Sequence, residues 1–270
     1  MYRPHFTMKE NRVPVLSNDD IERDAMIFVN EFDPDMLQYP HALDIDSFLE
    51  FYLDLNLDFV RMNKDGNILG QMIFKDTKNF PIHNSQTGET ELIDVRRGTV
   101  LLDEKMSDPE NDTLRRTTEA HECGHWIYHQ MYFGGESGRD VYAKACRKVD
   151  VVSTENSSRR LSTDEEWLEH HARLFSGAIL MPRTAVFSVV KDKELRDLAW
   201  DDVRRYGFPS IGNGRLSKEI AEIFSVSEKA ALVRLTQLKC DLASEAKVRG
   251  EKWMLDLIEK GNSFEEKSCF

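Results

Sequence analysis

Apolar residues recur at helical spacing through SNDDIERDAMIFVNEF, behind a Ser/Asn capping signal, and predict a helix from about Ser17 to Phe32. PHALDIDSFLEFYL has the same cadence and predicts a second helix. LDFVRM and ILGQMIFKD flank the turn signal NKDGN, which predicts a β-hairpin from about Leu57 to Asp76. Asn79 to Thr90 is polar and turn-rich. ELIDVRRGTVLLDEKM, interrupted by Gly98, predicts one or two further strands, so a small antiparallel sheet is expected.

From Asp112 to about Phe133 the pattern becomes one long helix with HECGH near its middle. A polar, Gly- and Ser-rich connection follows from Gly134 to Leu161, long enough to suggest a mobile or functional loop. STDEEWLEHHARLFSGAILMP predicts the next helix, which must stop at Met181 because Pro182 disfavours helical geometry in the residue before it. Beyond Arg183 the chain stays helical in pattern, through GRLSKEIAEIFSVSEKAALVRLTQLK to a last amphipathic stretch ending near Lys260. The expected fold class is α+β and predominantly helical.

Composition narrows the class of protein. A chain of 270 residues with 40% hydrophobic content can bury a substantial core in one or two packed units. No apolar run approaches the roughly 20 residues of a membrane span, and MYRPHFTMKENR lacks the apolar centre of a secretory signal, so a cytoplasmic protein with no membrane partner is expected. Cys123, Cys146, Cys240 and Cys269 form no C-x-x-C pair and resemble neither a disulfide framework nor a thiolate zinc site. The net charge of -12 is concentrated early, with Arg23 the only Lys or Arg between Ser17 and Asp58. Such a segment repels phosphate and argues against nucleic-acid binding there.

The chemistry concentrates in HECGH. On a helix, His121 and His125 lie on one face, separated by about 6 Å of rise and about 40° of turn, so their imidazoles can share one ion. Glu122 stands about 80° from the middle of that face, poorly placed as a ligand and well placed to reach a water beside the ion. Zinc held by two imidazoles and a carboxylate keeps an open position, where the pKa of water falls to about 7. Cys123 points to the opposite side and reads as a small buried residue.

Two histidines one turn apart also arise by chance, so a third ligand is required. His129 continues the series but lies about 12 Å along the axis from His121, beyond what bonds of about 2.0 Å to one ion allow. The metzincin continuation H-x-x-G-x-x-H is absent, since WIYHQM follows His125. The following helix offers Glu165, Glu166, Glu169, His170 and His171. Ser162 to Glu165 and Thr163 to Glu166 both fit a capping box, which occupies those two acids. Glu169 lies a turn further in, beside the stripe Leu168, Ala172, Phe175 and Ile179, at the edge of a face that should be buried. Two histidines on one helix and a glutamate on another make the gluzincin arrangement.

HECGHWIYH followed by EHHARLFSGAILMP resembles the ImmA/IrrE family of metallo-endopeptidases, which carries an acidic residue just ahead of an Ala-x-x-Phe-x-x-x-Leu-Leu-Met-Pro-like run. Weaker similarity extends through NRVPVLSNDDIERDA, LDIDSFLEFYLDLNLDF and IAEIFSVSEKAALVRLTQL, covering most of Asn11 to Lys239. The resemblance implies a zincin-like peptidase domain over residues 11–190 and a helix-turn-helix-like helical segment over 191–262. It implies Zn2+ as cofactor, His121, His125 and Glu169 as ligands, and Glu122 as general base. It further implies a protein substrate, and the family is associated with cleavage of repressor-type transcription factors. His171 and Arg173 flank Ala172, where family members often carry other polar residues. Tyr128, Tyr132, Tyr142, His170 and His171 are candidate oxyanion donors, each with an ordinary packing or surface role as its alternative.

The rival reading is a regulatory protein- or DNA-binding module with a structural or inactive metal site. Structural zinc sites are normally closed by four protein ligands and have no use for a carboxylate such as Glu122 beside an open position. SKEIAEIFSVSEKAALVRLTQL has a helix-turn-helix cadence, with the turn at Ser225 to Ser227. Its Lys229, Arg234 and Lys239 are offset by Glu219, Glu222 and Glu228, so protein contact is expected rather than DNA binding. Hydrolysis of a non-peptide substrate would use the same centre.

Overall fold

Ser17 starts the first helix as its N-cap. Its hydroxyl accepts from the Asp20 amide at 3.2 Å, and the Asp20 carboxylate accepts from the Ser17 amide at 3.0 Å, satisfying two donors that a helix start leaves orphaned. The computed structural model describes residues 1–134, 145–147 and 161–249. In it helix α1 spans Asn18–Phe32 and buries Ile21, Asp24, Ala25, Phe28 and Val29. The second expected helix is much reduced. A short α2, Ile45–Ser47, passes into a π-helical turn over Phe48–Tyr52, and the widened turn lets the consecutive Phe48 and Leu49 both enter the core.

The described residues form two compact units, one within Met1–Pro34 and Leu43–Pro182 and the other within Asp35–Ala42 and the residues from Arg183 to Arg249. In the first unit, β1 (Thr7–Met8) and β2 (Pro14–Val15) make a small antiparallel ribbon. The main sheet contains β3 (Asn56–Phe59) and β4 (Ile68–Met72). β5 (Thr77–His83) and β6 (Thr90–Val95) form a separate antiparallel pair, across the stretch expected to be mostly turn. β7 (Thr99–Leu102) and β8 (Ala145–Arg147) complete the main sheet, whose order is β3-β7-β4-β8.

The expected hairpin between β3 and β4 does not form. β7 lies between them, parallel to β3 and antiparallel to β4, so the sheet is mixed rather than antiparallel. All four residues of β7 are buried, and a strand with no solvent face takes a central seat. The NKDGN turn survives as a loop, with Gly66 at φ +59°.

Helix α3 spans Asp112–Phe133 and α4 spans Asp164–Leu180. α3 packs against β4 and β7 on one side and against α4 on another, and α1 also packs on α4. Phe28 anchors that second contact, edge-on to Phe175 at 5.9 Å and to Phe48 at 6.0 Å between ring centroids. Such pairs contribute about 0.5–1.5 kcal/mol each beyond the area they bury. α4 is capped by Thr163 and Glu166 and ends before Pro182, as expected.

The second unit contains α5 (Arg183–Val190), α6 (Lys193–Tyr206), α7 (Pro209–Phe224), α8 (Glu228–Gln237) and α9 (Leu242–Arg249). The expected helix pair is α7 and α8, with Ser225 in the left-handed region and Ser227 capping α8. α7 begins at Pro209, and a proline at the first helical turn is a natural start. Arg234, counted among the cations of that segment, is buried and cannot belong to an exposed recognition face. The expected helical continuation to Lys260 lies outside the described residues beyond Arg249. The fold is thus α+β and predominantly helical. Among the described residues, no single helix is long and apolar enough to cross a membrane.

Candidate metal centre

α3 and α4 approach very closely. A Cβ placed on Gly124 would lie 3.0 Å from the Cα of Ala172 and 3.2 Å from the Cβ of Phe175, so only glycine admits this crossing without displacement. Glycine costs about 1 kcal/mol in a helix interior relative to alanine, and here that cost allows the approach. The Ser176 hydroxyl donates to the Thr117 carbonyl at 3.0 Å, and the Tyr132 hydroxyl donates to Glu165 at 3.4 Å. With Gly124 opposite Ala172, these contacts show that the helices run antiparallel. In that register Glu169 falls at the level of His125 and the residues just after it, with its carboxylate in reach of both imidazoles.

Three donors converge there. His121 Nε2 and His125 Nε2 are 3.1 Å apart, Glu169 Oε2 is 3.3 Å from His121 Nε2, and Glu169 Oε1 is 3.5 Å from His125 Nε2. Around a tetrahedral ion with bonds of about 2.0–2.1 Å, neighbouring ligand atoms stand about 3.3–3.4 Å apart. The three side chains thus stand at the separations of neighbouring ligands, each imidazole facing a different oxygen of the carboxylate, and one ligand atom from each lies within 4.8 Å of the others. His121, His125 and Glu169 are buried, at 1%, 2% and 5% exposure, and the group can hold a metal ion. Burial alone would raise the Glu169 carboxyl. The pull of His125 and hydrogen bonds from both imidazoles outweigh it and hold the group anionic, below the ordinary carboxylate range.

Glu122 is completely buried beside this triangle, on the side facing β4. A Cβ on Gly70 of β4 would lie 3.1 Å from Glu122 Oε1 and 2.6 Å from Thr118 Cγ2. β4 thus passes directly over the carboxylate. Gly70 and Gly124 were not singled out in the sequence, where nothing local marks a glycine that sits at a crossing.

The remaining candidates fall elsewhere. Cys123 is buried, and burial raises its thiol well above the ordinary value, as suits a packing residue. Tyr128 is buried with its hydroxyl donating to Asp24 at 3.2 Å, and Tyr132 is buried and turned to Glu165. His170 Nε2 lies 3.3 Å from Asn18 Oδ1. His171 is buried, and desolvation first, then His170 and His125, lower its pKa to about 4. Tyr128, Tyr132 and His170 thus have polar contacts away from the triangle, whereas the ring nitrogens of His171 have no hydrogen-bond partner among the described residues. Tyr142 and most of the Gly134–Leu161 connection lie outside the described residues. Thr163, not Ser162, caps α4, and its partner in the capping box is Glu166 rather than Glu165.

His129 is not part of the triangle but touches it. Its Nδ1 lies 2.9 Å from His125 Nδ1, and its fully buried ring stacks on His171 with centroids 5.8 Å apart. Burial, then the neighbouring His125 and His171, push its pKa well down and keep it neutral.

A second polar cluster, missed in the sequence, occupies the start of α3. Arg115 donates from Nη1 to Glu119 at 2.8 Å and to Asp46 at 2.5 Å, and from Nη2 to Asp112 at 2.8 Å. Acids at i−3 and i+4 from Arg115 were the available signal.

No protein-family model matches the chain, and no curated protein matches it.

Proposed function

We propose that the chain is a zinc-dependent metallo-endopeptidase with a zincin-like core, of the kind the ImmA/IrrE resemblance implies, acting on a narrow protein substrate of the repressor type. The observation that carries the reading is the triangle of His121, His125 and Glu169, delivered by two antiparallel helices, with the Glu122 carboxylate on the adjacent helical position. Two imidazoles and one carboxylate are the N,N,O set of catalytic zinc sites, which leave a fourth position open. Bound there, zinc would act as a Lewis acid, acidifying water and polarising the carbonyl under attack.

The chain's own residues handle the proton. Glu122 takes it from the attacking water and passes it to the departing amine, a two-stage role for one carboxylate. β4 shields Glu122 from bulk solvent through the close approach of Gly70, which keeps the carboxylate's orientation fixed. The Gly124 crossing holds the distance between the helices on which the triangle depends.

One observation favours the rival reading. The triangle and Glu122 are all at least 95% buried, which suits a structural ion in a regulatory module. Glu122→Gln separates the two. With zinc-loaded protein and a proteome-derived peptide library read by mass spectrometry, the wild-type chain should cleave. The variant should keep one zinc per chain and lose cleavage by about 10²–10⁴-fold. Undiminished cleavage by the variant removes Glu122 as base, and a zinc-loaded wild type without any cleavage favours the structural site.

A further inference from the structure

His129 extends the i, i+4 series of HECGHWIYH, yet helix geometry excludes it from the shell of an ion bound by His121. Its contact with His125 gives it a different use. We propose that His129 is a positioning residue, whose Nδ1 accepts a hydrogen bond from His125 Nδ1–H and so fixes the tautomer and ring orientation that turn His125 Nε2 toward His121 and Glu169.

The argument is one of proton count. Two imidazole nitrogens 2.9 Å apart share one proton between them. If His125 Nε2 is to bind an ion, it must be bare, so the His125 proton sits on Nδ1. The Nδ1 of His129 must then be the acceptor, with its own proton on Nε2. The helix enforces the contact, because residues four apart on α3 stack on one face.

His129 is itself held in place from α4. Its ring stacks on His171 at an interplanar angle of 27°, two residues beyond Glu169, so the helix that contributes the carboxylate ligand also braces the orienting ring. The usual partner of a ligating histidine is a carboxylate or a backbone carbonyl. A neutral imidazole orients the ligand without adding negative charge behind it, leaving Glu169 as the only anion in the set. His121 differs, since its Nδ1 has no hydrogen-bond partner among the described residues. Orientation within the histidine pair is therefore imposed through His125.

The inference rests on His125 being a ligand and does not depend on hydrolysis. It is tested with two variants of the full chain. In His129→Asn the amide oxygen can stand where Nδ1 stood and accept the same bond. In His129→Leu it cannot. Zinc affinity, measured by competition with a chromophoric chelator, should fall about 10–100-fold in the leucine variant and change about threefold or less in the asparagine variant. Folding stability should rank them the other way, because leucine fills a buried site that asparagine leaves partly empty and polar. Nitrogen-15 NMR of the zinc-loaded wild type should find the His125 Nδ1–H proton shifted downfield by its hydrogen bond, with that shift lost in His129→Leu. Wild-type affinity in the leucine variant, equal losses in both variants, or a His125 Nδ1–H without that shift in the zinc-loaded wild type would each overturn the proposal. A wild type that takes up no zinc removes the centre as a whole. Glu122→Gln, by contrast, bears only on the peptidase reading.

Discussion

Glu119 and Glu169 are both carboxylates buried along α3, and they meet their neutralising charge in different ways. Glu119 is served by Arg115, a permanent cation that also binds Asp46 and Asp112. Glu169 faces two imidazoles at 3.3 and 3.5 Å. Arg115 supplies its cluster with covalently attached charge, one guanidinium set among three acids. Imidazoles stay neutral around an ion and present lone pairs, so the second cluster is completed by something exchangeable. The difference predicts that two neighbouring clusters on one helix respond to opposite treatments.

The largest contrast comes from the ligand side. Glu169→Ala should lower zinc affinity about a thousandfold or more, equivalent to about 4 kcal/mol of the stabilisation that bound ion confers. A chelator should lower the melting temperature of the wild type and leave that of the variant nearly unchanged. If both melt alike with and without chelator, while the wild type is shown to carry zinc, Glu169 is no ligand. Arg115→Met is the counterpart at the other cluster. It removes the guanidinium shared by three acids and should cost about 3 kcal/mol, with the same loss whether or not chelator is present. A loss that disappears in chelator would mean that the two clusters are one cooperative site.

Gly124→Ala sharpens the comparison by acting on the helix crossing rather than on any charge. The added methyl group meets the Ala172 backbone at 3.0 Å, and overpacking of this kind costs about 1–3 kcal/mol. Spreading α3 from α4 moves Glu169 away from the imidazoles, whereas Glu119 keeps its partner on its own helix. Zinc affinity should therefore fall in this variant by about tenfold, while the extra cost of adding Arg115→Met stays unchanged. Equal zinc affinity in Gly124→Ala and wild type would show that the crossing does not set the ligand distances.

What could be read in the sequence divides along the same line between local and distant geometry. His121, His125 and the flanking Glu122 follow from one helix, whose rise and turn are known in advance. The Thr163 and Glu166 cap and the stop at Pro182 are equally local, and they leave Glu169 conspicuous on its helix. The closeness of Gly124 to Ala172 and of Gly70 to Glu122 depends on which elements pack together, and a glycine carries no mark of its neighbour. β7 defeated the hairpin expectation for the same reason. NKDGN is a sound local turn signal, but the four buried residues of TVLL, further along the chain, require the central place between β3 and β4. His129 sits on the boundary: spacing excluded it as a ligand, and the same spacing, applied to the other nitrogen of His125, makes it a neighbour.

The most local test reads the Arg115 cluster by pH. Burial first, then the adjacent Asp46, raise the Glu119 pKa to about 8, against the lowering pull of Arg115. A carboxyl raised in the folded state contributes stability that is fully present below the unfolded value of about 4.5 and is lost as pH rises through about 8. Glu119→Gln cannot titrate and keeps a neutral group of similar shape. In chelator, so that the imidazole site is equally empty in both proteins, the variant should match the wild type near pH 5. It should gain on the wild type as pH rises from 5 to about 8, by roughly 1.4 kcal/mol for each pH unit crossed, because the folded wild type holds a proton on Glu119 that its unfolded chain has already lost. Urea midpoints at pH 5, 7 and 8.5 measure this directly. Parallel profiles for the two proteins would mean that Glu119 is already ionised against Arg115 at pH 5, and that the cluster is an ordinary ion pair rather than one guanidinium shared among more acids than it can neutralise.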